Sequence, residues 1–340
     1  MNFLHIISEI EKVDPEVYGR LNSRRRVFQH LGGLGGKLAA AAVPLALGSI
    51  FTRAYAGAAA TQATVLEVLN FALVLEHLEA NFYNAGLANA AVTSGLSANN
   101  VAALNAIRAD ENNHVAFLRG VISAPPFNAT PASPVPADFD FTGAQGGTRP
   151  ALFADVLANP ATFLAVAQAL EDTGVRAYKG GATDLMSNKT VLEAALNIHS
   201  VEARHAARIR TMRRGGLTPP GDRASLVAPD AANPGGSPKS WVSGRDGNGP
   251  APGKTDAVYG PGTPAAGAVT NIFYPAEDNV KQAAADITTL LSAAAVAGLA
   301  AAGAAVAATE SFDEPLDMAT VKAIARNFVK PGTPTFALLA

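Results

Sequence analysis

Leu69-Asn70-Phe71-Ala72-Leu73-Val74-Leu75-Glu76-His77-Leu78-Glu79-Ala80-Asn81-Phe82-Tyr83 is an apolar stretch with a glutamate at its centre and a tyrosine seven residues further on. Leu66, Leu69 and Leu73 recur at helical spacing with Glu76 and Tyr83, which predicts one helix from about Thr64 to Ala88 with these residues on its interior face. A seven-residue step is nearly two full turns, so Tyr83 lies below Glu76 on that face. A carboxylate on such a face is costly to bury unless it is paired or bound to a metal.

The same arrangement returns later in the chain. Asp110-Glu111-Asn112-Asn113-His114 carries a Glu-x-x-His on a second helix, which Ser97 can cap and which ends before Pro125-Pro126. Val166-Ala167-Gln168-Ala169-Leu170 leads into Glu171, and Tyr178 follows it by seven residues. Asn159-Pro160 reads as N-cap and first turn of that third helix. A fourth helix, from about Lys189 to Arg214, carries Glu202 and His205 and stops at Gly215-Gly216. Positions i and i+3 share a helix face, so each Glu-x-x-His pair can aim at one point. A lone Glu-x-x-His is ordinarily a solvated face; four glutamates and two histidines in this order, on apolar helices, form the set with which a bundle holds two metal ions. Carboxylate and imidazole together suit iron or manganese, and the absence of cysteine argues against iron–sulfur chemistry. Tyr83 and Tyr178 are phenols that can hydrogen-bond ligating carboxylates and fix their rotamers.

The order Glu, Glu-x-x-His, Glu, Glu-x-x-His resembles the ferritin-like superfamily, which includes bacterioferritins, rubrerythrins and manganese catalases. More closely, residues 64–214 are similar to the ferritin-like domain of exported bacterial proteins of the desiccation-related type. Leu69–Leu73, Leu78–Tyr83 and Asp110–His114 carry that likeness, and Tyr274–Asn279 and Ser311–Leu316 resemble tail motifs of those proteins. The resemblance implies an all-α fold: a ferritin-like four-helix bundle with a long crossover between its second and third helices. It implies Glu76, Glu111, His114, Glu171, Glu202 and His205 as ligands of two iron ions or, alternatively, two manganese ions. It further implies an oxidoreductase of ferroxidase, peroxidase or manganese-catalase type, with dioxygen or hydrogen peroxide as partner. Rubrerythrins reduce their di-iron site through a cysteine-ligated iron. This chain has no cysteine, so self-contained electron transfer of that kind is not expected.

The remainder divides by composition. Ser23-Arg24-Arg25-Arg26-Val27-Phe28, a short apolar run from Leu38 to Phe51 and the small-x-small Ala54-Tyr55-Ala56 read as a twin-arginine export leader over 1–56, retained or cleaved. The expected location is the periplasm or cell surface, with membrane contact only through an uncleaved leader. Residues 125–150, rich in Pro, Gly and Ala, are long enough at about 3.3 Å per residue to run the length of a bundle. Residues 64–214 are expected as the bundle, and 215–275, dense in Pro and Gly, as a helix-free wrap around it. In 276–340 a helix is expected from about Glu277. Its uncharged Leu290–Thr309 is rich in Ala and Gly, which suits a tightly packed helix better than a membrane span.

A net charge of −2 with 16% charged residues leaves no nucleic-acid footprint. A homo-oligomer is compatible with the sequence, but the long stretch after residue 214 argues against a hollow iron-storage cage. A structural envelope protein with a vestigial metal site is the other alternative. Four further residues invite attention. His77 points about 100° away from Glu76. His199 precedes Glu202 by three and can support it. Glu79, i+3 from Glu76, can act as an extra carboxylate but reads first as a surface ion-pair partner, and Asp110 reads as solvated.

Overall fold

The computed structural model describes residues 63–215, 238, 240–242, 249–263, 274–282, 285–288 and 308–340. The leader, most of the wrap and the stretch 289–307 lie outside the described residues, so the expected export signal and packed alanine helix do too.

Four long helices dominate. Helix α1 (Val65–Leu87) starts at Thr64, whose hydroxyl accepts from the Glu67 amide while the Glu67 carboxylate accepts from the Thr64 amide, closing a capping box. A single turn, α2 (Ala90–Thr93), leads to α3 (Ala98–Ser123), capped by Ser97 as the sequence predicts. Helix α4 (Pro160–Gly181) opens on the Asn159 cap with proline in its first turn. Helix α5 (Lys189–Arg213) is capped by Asn188. Helix α1 packs chiefly on α3 and α4 on α5, so the bundle is two helical hairpins face to face.

The crossover between α3 and α4 contains one 3₁₀ turn, Pro136–Asp138, and earns its place by burial. Phe139, Phe141 and Phe153 are buried with Phe82 and Phe163, whose rings stack at 4.6 Å. Asn70 on α1 accepts from the Ala132 amide at 2.9 Å, holding the crossover against the bundle.

The C-terminal part begins differently from the expectation. No helix starts at Glu277: Lys281–Gln282 (β1) and Ala285–Asp286 (β2) pair as a short antiparallel hairpin. The Glu277 amide donates to the Tyr259 carbonyl and its carboxylate ion-pairs with Arg176, which fixes that backbone in a turn before a helix can begin. The 215–275 segment is also not helix-free, since α6 (Asp256–Tyr259) makes one turn. The terminal helices are α7 (Met318–Arg326) and α8 (Pro334–Leu338).

The chain divides into two units. One comprises residues 59–279 and 306–340 and holds the bundle; the other comprises 1–58 and 280–305, of which only the hairpin region is described. Within the first unit the tail is bound tightly. Phe328 and Asp140 exchange a backbone bond of 2.8 Å, as do Lys330 and Asp138. Arg176 on α4, buried, donates to the carbonyls of Glu314, Gly260, Pro275 and Pro315 and lies 3.0 Å from the Glu277 carboxylate. No helix among the described residues is long and apolar enough to cross a membrane.

Candidate metal centre

Glu76, Glu111, Glu171 and Glu202 are each fully buried, one from each long helix. His114 and His205 stand beside them, their rings 6.5 Å apart. His114 Nδ1 lies 3.1 Å from Glu76, 3.2 Å from Glu111 and 3.7 Å from Glu202. His205 Nδ1 lies 2.8 Å from Glu111 and 3.3 Å from Glu171. All six residues named from the sequence thus meet at one point in the bundle.

They meet as two overlapping sets. Glu76, Glu111, His114 and Glu202 form one group able to hold a cation; Glu111, Glu171, Glu202 and His205 form the other, each with ligand atoms within 4.8 Å of one another. Glu111 and Glu202 belong to both. Each hairpin therefore contributes one shared glutamate, from α3 and from α5.

The tyrosines cross over. Tyr83 on α1 donates to Glu171 on α4, and Tyr178 on α4 donates to Glu76 on α1. The sequence places each phenol on the same face as the glutamate of its own helix, yet each serves the opposite hairpin. Phe82 and Phe163 pack edge-on to Tyr83 and hold its ring.

The chemistry of these atoms fits cations. Glu111 Oε1, Glu171 Oε2, both Glu202 oxygens and His205 Nδ1 are buried without a hydrogen-bond partner. His205 Nδ1 and Glu111 Oε1, although 2.8 Å apart, are not aligned to bond each other. Orphaned buried polar atoms are expensive, and a cation at their common focus satisfies them all. Two divalent ions would also cancel the four carboxylates.

Without metal, protons carry that load. Burial pushes Glu76 up to about 7, with His114 opposing. Burial raises Glu171 and Glu202 as well. It pushes Glu111 up too, but contact with His114 and His205 outweighs it and holds that carboxyl at about 2. Burial disfavours both imidazoliums, yet the adjoining carboxylates raise His114 to about 10 and His205 to about 11.

Two residues depart from the sequence reading. Asp110, expected in solvent, lies half-exposed with Oδ2 3.1 Å from His205 Nε2, so it orients that ring and leaves Nδ1 facing the glutamates. Glu79, expected in a surface ion pair, is buried beside the centre, and burial followed by repulsion from Glu111, Glu171 and Glu76 pushes its carboxyl well above the usual range. The i+3 step from Glu76 was the available signal for Glu79; nothing in the sequence points Asp110 at His205. His199 turns away, its Nδ1 2.9 Å from the Val175 carbonyl, and His77 is half-buried outside both groups.

Gly174, one turn after Glu171, was also missed. A Cβ there would stand 2.7 Å from Glu202 Oε2, so this glycine makes the space that the shared glutamate occupies.

Residues 64–214 match the family model of the ferritin-like domain. No curated protein matches the chain. Over residues 64–214 the four long helices and their long crossover are thus similar to a ferritin-like domain, and the buried glutamate–histidine cluster sits at the middle of that bundle.

Proposed function

We propose that this ferritin-like protein holds two iron ions, or two manganese ions, and reacts with dioxygen or hydrogen peroxide. The observation that carries the reading is the pair of ligand groups sharing Glu111 and Glu202. Shared carboxylates keep two cations close, and ligation by oxygen and imidazole nitrogen suits redox-active iron or manganese. Two such ions side by side supply or accept two electrons at one O–O unit.

The protein's own groups do the rest. Glu76 with His114 and Glu171 with His205 are the unshared ends of the two sets. Tyr83 and Tyr178 fix the rotamers of Glu171 and Glu76. Asp110 sets the face that His205 presents. Glu79 is a further buried carboxyl beside the cluster, which burial disposes to keep its proton. We further propose twin-arginine export to the periplasm or cell surface and a protective role under oxidative or desiccation stress, on the reading of Arg24–Arg26 and the tail motifs.

Metal analysis and turnover of the purified full-length protein test the reading together. The expected result is about two transition-metal ions per chain and consumption of oxygen or peroxide faster than by free ions. Protein supplied with iron and manganese that retains neither overturns the metal assignment. Two bound ions with no reaction in either form overturn the enzymatic one.

A further inference from the structure

The two ligand groups follow one plan but do not stand in the same state. Among the six ligands, every buried atom without a hydrogen-bond partner belongs to the group of Glu111, Glu171, Glu202 and His205. Glu76 and His114, the residues peculiar to the other group, contribute none. Tyr178 donates to Glu76 Oε1, and His114 Nδ1 donates to Glu76 Oε2 at 3.1 Å and to Glu111 Oε2 at 3.2 Å. Glu76 is thus satisfied at both oxygens. Glu171, its counterpart on α4, is bonded by Tyr83 at Oε1 alone, which leaves Oε2 without a hydrogen bond.

The histidines differ in the same sense. Asp110 precedes Glu111 on α3 and sets its Oδ2 3.1 Å from His205 Nε2. The residue that precedes Glu202 on α5 is Val201, whose side chain has no acceptor to offer. A carboxylate behind an imidazole fixes the ring and raises the basicity of the nitrogen that faces the ion. One position is therefore preorganised, its ligand atoms unbonded and its histidine backed by a carboxylate. At the other, an incoming ion must first displace the hydrogen bonds of His114, and it does so against the charge of an ion already bound.

We propose that the two ion positions fill in a fixed order. The first ion is held by Glu111, Glu171, Glu202 and His205; the position of Glu76 and His114 fills only afterwards and more weakly. This rests on the reading of the cluster as a two-ion centre and adds to it a sequence of loading. A chain short of metal then carries isolated ions at one end of the centre, not pairs, and the second position is the one open to exchange. Asp110 is the positioning residue that separates the two steps, acting through His205.

Manganese titration of the full-length protein, followed by calorimetry and by electron paramagnetic resonance, tests the order without turnover. The steps should differ by about tenfold or more in affinity, the size of effect that such supporting carboxylates have. At one equivalent the spectrum should be that of isolated ions, with coupled pairs appearing only as the second equivalent is added. Glu76→Ala should keep the tight step and lose the weak one, whereas Glu171→Ala should lose the tight step. Asp110→Ala, at a half-exposed position, should weaken the first step about tenfold and leave the second nearly unchanged. Asp110→Asn, which keeps an acceptor oxygen, should recover part of that loss, and both readouts remain if a ligand variant fails to fold. Two equal steps, coupled pairs at one equivalent, a tight step that survives Glu171→Ala, or a first step indifferent to Asp110→Ala overturns the order. Protein that takes up no manganese at any ratio also overturns it, and its iron content then decides whether the two-ion reading falls as well.

Discussion

Gly174 separates fold from site more cleanly than any ligand does. Alanine is the better helix former by about 1 kcal/mol, so Gly174→Ala should leave α4 as stable or slightly more so. Its new methyl, however, takes the place of Glu202 Oε2, and the flexible carboxylate must swing away. Thermal unfolding should shift upward or stay put while bound metal falls below the parent value; a variant that keeps full metal would show that Glu202 is not held there. Tyr83 and Tyr178 act on the same shell through hydrogen bonds. Replacing both with phenylalanine removes a donor from Glu171 and one from Glu76 but no ligand. Metal stoichiometry should stay near two, and turnover should slow by about 10- to 100-fold, as losses of such supporting bonds do. Equal turnover in parent and double variant would reduce the phenols to packing.

Each long helix carries one glutamate inward, but the four helices are not equivalent. Glu111 on α3 and Glu202 on α5 serve both groups; Glu76 on α1 and Glu171 on α4 serve one each. Glu202→Ala should therefore lose both ions, whereas Glu76→Ala should weaken one and spare the other. Stoichiometry by elemental analysis reads the difference, and equal losses would refute the sharing. Acid acts on the same arrangement. Protons hold Glu76 below about 7 and His114 and His205 below about 10 and 11, so loading metal releases protons. Occupancy should fall as pH drops from 8 to 5, because proton competition strengthens on acidification; metal retained equally at both ends would contradict it.

In the molecule as a whole, Arg176 ties the functional helix to the tail. It bonds carbonyls from three separate tail segments and pairs with Glu277, all in the interior. Burial and close ion pairs of this kind are weak evidence for stability, but removing one partner strands the other. Arg176→Met should cost about 3–5 kcal/mol, because the tail carbonyls lose their donor and the buried Glu277 carboxyl, already pushed up to about 8 by burial, loses its cation and takes up a proton. Limited proteolysis should then cut near residues 274–316 first, and equal resistance in parent and variant would show that the tail is held by other contacts. Asp172 and Arg210 repeat the device one turn from Arg176, with Tyr259 donating to Asp172.

Periodicity and spacing along the chain were enough for the four helices, the caps at Ser97 and Asn159 and the six residues at the cluster. Those features are local: an i+3 or i+7 step fixes which side chains share a face whatever the helix packs against. The long crossover was legible too, from composition and length. What spacing along one helix cannot specify is the partner across the bundle. Tyr83 meets Glu171, Asp110 meets His205, and Gly174 yields to Glu202 only because two hairpins face each other at one particular depth. The hairpin at 281–286 follows the same logic. A stretch that reads as helix from Glu277 is overruled by the ion pair and backbone bonds that seize Glu277 from distant segments. The pocket beside Tyr178 belongs to this class as well, since a space between helices leaves no mark on any one of them.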